Sequence, residues 1–466
     1  MDMLSCHLNR EEKIPLYEQL YTYIKREIME GRIPFQTKLP SKRRLAEFLK
    51  ISQNTVEQAY DQLVAEGYVQ GIARKGYFVL AYEDLEYIQP AKPIQTENKE
   101  IKHSFRYDFH PSRIDTENFP FSRWRRHAKN VMDKANQSLL LLGERQGEYE
   151  LRKEIANYIY QARGVQCSPD DILLGAGIET LLQQLILMLG HKMVYGVEDP
   201  GYHVISHILK KFSNPVLPLK VDNRGVLLDS LDKTGINVVY VTPSHHFPYG
   251  SVLSANRRIK LLNWASGKEE RYIIEDDYDS EFRYSGKSIP SLQGMDQGGK
   301  VIYLGTFSKS LIPSIRISYM VLPKQLLERY QEEFSFFQCT VSRIDQHILA
   351  RFMQEGDFEK HLNRMRKVYR RKMEKTLEIL RAFQSKIKIV SDISGFHVIM
   401  EVRNGMNEEE LVQRAEHANI LIYPLSTYSI EKHDEQQPRI ILGFAGIPEA
   451  ELEEAIGSLL SCWEIY

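Results

Sequence analysis

Apolar positions recur every three to four residues through three successive stretches near the N-terminus, and this spacing predicts three short amphipathic helices. In "IPLYEQLYTYIKREIMEGRI", Leu16, Leu20, Ile24 and Ile28 stand at four-residue intervals, closed by Gly31. "LPSKRRLAEFLK" offers Ser41 as a cap, then Leu45, Phe48 and Leu49 on one face. "SQNTVEQAYDQLVAEG" repeats the layout: Ser52 caps, Val56, Ala59, Tyr60 and Leu63 make the stripe, and Gly67 stops it. "YVQGIARKGYFVL" then reads as two strands bent at glycines. Three helices followed by a two-stranded wing predict a winged helix-turn-helix over residues 1–80.

The pattern then lapses. Residues 81–105, beginning "AYEDLEYIQPAKPIQTENKEIKHS", are polar and proline-containing without sustained periodicity, and read as a linker. From 106 to 466 the rhythm changes again. Continuous apolar runs such as "DILLGAG", "MVYGVEDPGY", "NVVYVTPS", "RYIIEDDYD" and "KVIYLGTFS" alternate with helical patterns. Runs of this kind, ending in polar turns, predict buried and mostly parallel strands of an α/β domain. In such sheets ligands lie beyond the carboxyl ends of the strands. Those ends carry Glu198 to Tyr202, Thr242 to His246, Asp276 to Asp279 and Thr306 to Lys309, so the polar residues converge on one place.

Composition changes this picture in two respects. With 466 residues and a net charge of -1, the chain has room for two or three domains, and any basic surface must be local. It is local: between Arg32 and Lys50 stand six Lys or Arg and one acid, Glu47, a patch suited to phosphates beside a helix that starts near Gln53. Cys6, Cys167, Cys339 and Cys462 are scattered, without CxxC spacing, which points to reduced thiols rather than disulfides or zinc. The N-terminus lacks the layout of a signal peptide and no apolar run approaches a membrane span, so a soluble cytoplasmic protein without a membrane partner is expected.

Lys309, in "GTFSKSLIPSIRISY", is placed at the end of a buried strand among hydroxyl residues, with Arg316 seven positions on. A desolvated lysine can form a Schiff base. Asp276 follows a strand directly, where a carboxylate can hold a bound cation; Tyr278, two residues on, can donate to a ring hydroxyl. "GAGIET" places small residues before a helix, which lets backbone N–H groups approach an anion. Singly, each piece has a bland explanation: a surface lysine, a helix cap, a tight turn. Together, phosphate loop, acid, phenol, lysine and arginine are the parts that pyridoxal phosphate needs.

"LPSKRRLAEFLKISQNTVEQAYDQLVAEGYV…RKGYFV" resembles the DNA-binding domain of the GntR family along nearly its whole length. The resemblance implies that Arg43, Ser52, Asn54, Thr55, Arg74 and Lys75 face double-stranded operator DNA. Gln53 stands where many relatives have arginine; an amide prefers adenine where arginine prefers guanine. "EDPGY", "TPSHHFPYG", "EDDYDSEFRY", "GTFSKSLIPSIRISY" and "PRIILGFA" resemble a fold-type I aminotransferase with a smaller C-terminal α+β subdomain, and the whole chain resembles the MocR/GabR subfamily. That resemblance implies Lys309 as the Schiff-base lysine, Asp276 on the pyridine nitrogen, Tyr278 on the ring oxygen and Tyr202 stacked on the ring. It also implies Gly177, Ile178 and Glu179 as phosphate-binding amides with Thr306, Ser308 and Arg316 nearby, and Arg439 on the carboxylate of an amine or amino-acid effector. A homodimer is implied as well, with the winged helix of one subunit packed on the large domain of the other.

Two departures qualify the transfer. Phe247 replaces the asparagine that contacts the ring in aminotransferases, which suits a sensor better than a rapid enzyme. Val204 replaces an arginine of the GABA-responsive member, which argues against GABA. His245 and His246 lack a third ligand motif, so no metal is expected. The sequence reading is therefore a pyridoxal-phosphate-dependent regulator that senses an amine, an amino acid or the cofactor itself through Lys309. A working aminotransferase with a fused DNA-binding domain is the alternative.

Overall fold

The N-terminal helices form where their caps stand. In the computed structural model, which describes residues 6–80 and 105–466 apart from 230, 285, 287, 392–394 and 432–436, they are α1 (Leu16–Met29), α2 (Lys42–Leu49) and α3 (Gln53–Ala65). The expected linker, 81–105, lies outside the described residues except for Phe105. Ser41 Oγ accepts from the Arg44 amide and Ser52 Oγ from the Thr55 amide, satisfying N–H groups that a helix start leaves without partners. Leu20, Ile24, Leu45, Val56, Ala59, Tyr60 and Leu63 are buried together. Phe48 was expected among them but is 47% exposed. At about 100° per residue the buried arc of α2 centres on Leu45, Ala46 and Leu49, which turns Phe48 outward. Strands β1 (Val69–Ile72) and β2 (Gly76–Val79) pair antiparallel as the wing.

The chain divides into two compact units, Met1–Lys102 and His103–Tyr466. The second opens with the short β3 (Tyr107–Asp108), which pairs with β14 (Ile420–Leu421). Its centre is an eight-stranded sheet of β4 (Ile172–Gly175), β5 (Tyr195–Asp199), β6 (Val216–Asp222), β7 (Gly225–Val226), β8 (Val238–Val241), β9 (Tyr272–Asp277), β10 (Val301–Thr306) and β11 (Ser318–Val321). The strand order is β4-β11-β10-β9-β8-β5-β6-β7, with β6, β5, β8, β9 and β10 mutually parallel, β11 and β7 antiparallel to them, and β4 antiparallel to β11. Strands β5, β8 and β9 are buried along their whole length, as continuous apolar runs require when helices cover both faces. A second, antiparallel sheet in the order β12-β13-β16-β15 spans Ile387–Ser391, His397–Val402, Arg439–Gly443 and Tyr423–Pro424. The helices Asp357–Arg381 and Leu452–Cys462 pack in the core behind it. This is the smaller α+β subdomain that the resemblance to fold-type I aminotransferases implied.

Candidate functional site

At the carboxyl ends of β5, β8, β9 and β10 lies a cavity of about 360 Å³, a size suited to a small molecule. Ile178, Glu179, Tyr202, Asp276, Tyr278, Thr306, Ser308, Lys309 and Arg316 all line it, so the structure brings nine of the expected cofactor residues together. Gly177 sits just behind them. It starts the helix Ile178–Leu189 at φ 98 and ψ 159, and a Cβ there would lie 2.0 Å from Arg316 Nη2. Its own amide turns back to the Gly175 carbonyl at 2.8 Å, so the amides of Ile178 and Glu179 are those that the helix start presents.

Asp276, next to last on β9, is buried. The Tyr240 hydroxyl donates to its Oδ2, while its Oδ1 has no protein partner. Burial pushes its carboxyl up to about 7. An acid held in that condition is short of a cation, and one oxygen is available to take it. The Tyr278 hydroxyl stands 3.1 Å from His245 Nδ1, and that ring is also 2.8 Å from Asp279. Neither His245 nor His246 lines the cavity.

Lys309, in the short turn after β10, donates to the Pro111 carbonyl at 2.9 Å and lies 5.0 Å from the Phe396 ring centre. Desolvation lowers its pKa to about 8, against the opposing pull of Asp279. Thr306 Oγ1 accepts from the Ser308 amide at 3.2 Å and from the Ser318 hydroxyl at 2.9 Å, which ties the turn to its neighbouring strand. Arg316 bonds Glu179 at 2.7 Å and the Ala176 carbonyl at 3.4 Å.

Arg439, expected on an effector carboxylate, is not brought to the cavity wall. It begins β16, with Glu401 at 3.5 Å and the Tyr249 hydroxyl at 3.4 Å. Side chains two apart on a strand share a face, so Arg439 lies on the same face of β16 as Ile441. Ile441, two residues on, is buried against Phe247, Leu425 and Tyr428.

The sequence reading missed His110, Pro111, Ser112, Phe396, His397 and Tyr428, all on the wall, while Thr242, named at the end of β8, is there as expected. The missed ones come from the start of the second unit, the entry to β13 and the turn after β15, and no local pattern marks them. Tyr240 did carry a signal: it is a phenol inside an otherwise aliphatic strand, one strand from the acid it serves.

In the first unit Arg43, Ser52, Gln53, Asn54, Arg74 and Lys75 are exposed, and Thr55 is half-buried. Gln53 and Asn54 open α3; Arg74, at φ 62, and Lys75 make the bend of the wing. Arg43 is paired with Glu47 at 2.9 Å. Helix start and wing tip therefore present polar side chains to solvent, as a groove-reading helix and a phosphate-contacting wing require.

Residues 16–79 match the family of bacterial regulatory proteins of the gntR type, and residues 112–459 match aminotransferase class I and II. The chain is 43% identical to the HTH-type transcriptional regulator YdeL of Bacillus subtilis, over 98% of its own length and 99% of that protein. It is 31% identical to the probable rhizopine catabolism regulatory protein MocR of Rhizobium meliloti, covering 98% and 95%. The fold matches a kynurenine aminotransferase of Pyrococcus horikoshii with a TM-score of 0.68 at 23% identity, over 78% of this chain and 91% of that one. Among the described residues no helix is long and apolar enough to cross a membrane. The chain thus belongs to the GntR-type transcriptional regulators whose winged helix is joined to an aminotransferase-like domain, the MocR/GabR subfamily.

Proposed function

We propose that this regulator holds pyridoxal phosphate in the cavity at Lys309 and uses its occupancy by a small amine to bias operator binding by the winged helix. The observation that carries this is the unpartnered, buried Oδ1 of Asp276 in a cavity that also contains a desolvated lysine. Such an oxygen costs free energy until it takes a cationic donor, and the protonated ring nitrogen is one. Pyridoxal phosphate supplies an aldehyde that condenses reversibly with primary amines and a ring that draws electrons.

The chain's own residues do the rest. Asp276 would keep the proton on the ring nitrogen, and Tyr240 holds Asp276 in place. Tyr278 would donate to the ring oxygen, its hydroxyl oriented by His245. Tyr202 would lie against the ring. Arg316, the first amides of the helix Ile178–Leu189 and the hydroxyls of Thr306 and Ser308 would hold the phosphate. With its pKa near 8, roughly a tenth of Lys309 is neutral at pH 7, as a nucleophilic amine must be. Release of Lys309 by an arriving amine would alter charge and contacts in the cavity, and a difference in winged-helix placement between the two states would shift DNA affinity. A homodimer supplies the two winged helices that paired half-sites need. Operator DNA lies inside the cell, which supports a cytoplasmic location for a regulator that binds it.

The test is the visible absorption of the purified protein with pyridoxal phosphate, with Lys309→Ala as control. A band that depends on Lys309 is expected, and its displacement by an amine should accompany a change in DNA affinity. No band would refute the cofactor assignment. Sustained turnover of an amino donor with a 2-oxo acid would favour the aminotransferase alternative.

A further inference from the structure

The phosphate end of the cavity already holds an anion of the chain's own. Glu179 stands in the first turn of the helix Ile178–Leu189, where the helix dipole favours a negative group. Its Oε2 accepts from Arg316 Nη2 at 2.7 Å, and the same nitrogen lies 3.4 Å from the Ala176 carbonyl. Arg316 caps the turn Pro313–Ile315 at φ 50, a left-handed conformation that few residues other than glycine adopt. Gly177 lies against both side chains, and a Cβ there would overlap Arg316 Nη2 and Glu179 Oε2 alike. Loop, guanidinium and carboxylate are fitted to one another.

Among the described residues Arg316 is the one arginine on the cavity wall. A phosphate lodged at this helix start needs that guanidinium, and finds a carboxylate already bonded to it. The charge on Glu179 also reaches the rest of the site. Burial raises the Tyr202 phenol to about 12 and the Asp276 carboxyl to about 7, and Glu179 adds to both. A phosphate bound to Arg316 would stand beside the source of that field, like charge against like.

We propose that the Glu179 side chain competes with the cofactor phosphate for Arg316, and so holds cofactor affinity below what the rest of the site would give. This rests on the pyridoxal phosphate assignment, and it deepens it by naming the residue that sets occupancy. A weaker site empties sooner as free cofactor falls, so cofactor supply enters the signal along with the amine. The ion pair in turn keeps Arg316 partnered whenever the phosphate is absent.

The test titrates the full-length apoprotein with pyridoxal phosphate and, separately, with pyridoxal, the same aldehyde without its phosphate. The Lys309-dependent visible band is followed in the wild type, in Glu179→Gln and in Glu179→Ala. Both variants should bind pyridoxal phosphate ~10-fold more tightly, about the worth of one charge-assisted contact, and bind pyridoxal as the wild type does. Wild-type or weaker affinity for pyridoxal phosphate in the two variants would overturn the inference, because Glu179 would then position Arg316 rather than compete for it. Equal tightening toward pyridoxal would overturn it as well, since the effect would not lie at the phosphate. Absence of the band from the wild type with pyridoxal phosphate would instead remove the cofactor assignment, and the competition with it.

Discussion

Replacing Gly177 with alanine tests the phosphate end of the cavity in isolation. The backbone there has φ 98 and ψ 159, a region that essentially only glycine occupies, so any side chain strains it by roughly 1–3 kcal/mol. The added Cβ would also stand 2.0 Å from Arg316 Nη2 and 2.6 Å from Glu179 Oε2. Both atoms are ends of flexible side chains, so the overlap is relieved by the guanidinium swinging away rather than by the backbone breaking. What is lost is the guanidinium's place at the phosphate, a charge-assisted contact of about 1.5–3 kcal/mol. Gly177→Ala should therefore fold, with modestly lower stability, and bind pyridoxal phosphate ~10–100-fold more weakly. Titration of the apoprotein with the cofactor, followed by absorption, reads this directly. Cofactor binding at wild-type affinity would refute the assignment of Arg316 and the loop to the phosphate.

Other expectations follow from the same geometry. Asp276→Asn should weaken cofactor binding and shift the visible band, because an amide cannot hold the ring-nitrogen proton; an unchanged spectrum would count against the pairing. For the apoprotein, urea unfolding should show stability falling from pH 6.5 to 8. Glu275, Asp276 and Glu281 are raised to about 7 and Glu198 to about 8, so the folded state holds protons that the unfolded chain has released, and that stability is lost as pH rises through those values. His246 and His397, lowered to about 3, oppose this trend only below their ordinary range near 6.5. Lys372→Met should cost about 3–5 kcal/mol in urea unfolding, because Asp115, 2.7 Å from the lysine and buried, loses its cation; adding Asp115→Leu should recover most of it. Gln53→Arg should move base preference from adenine toward guanine by about 1–3 kcal/mol in a binding-site selection, leaving phosphate-driven affinity intact.

Caps, stripes and strand ends were legible in the sequence because they are short-range. Ser41 and Ser52 satisfy amides three residues away, and the 3.6-residue period places Leu20, Ile24 and Leu63 inside whatever else the chain does. Asp276, Tyr278 and Lys309 were legible too, since a parallel sheet delivers all its carboxyl ends to one edge. Phe48 was misplaced because an eight-residue helix has only one narrow arc to bury.

What tertiary structure alone decided is everything that depends on a second segment. Pro111 reaches Lys309 across 198 residues, Phe396 and His397 arrive from the entry to β13, and Tyr428 from the turn after β15. The desolvation that brings Lys309 to about 8 and Asp276 to about 7 is a property of those walls, not of the local sequence. Arg439 shows the limit most clearly. Its parity on the strand puts it on the face of Ile441, but Glu401 and the Tyr249 hydroxyl, 3.5 Å and 3.4 Å away, come from other segments that no local pattern names.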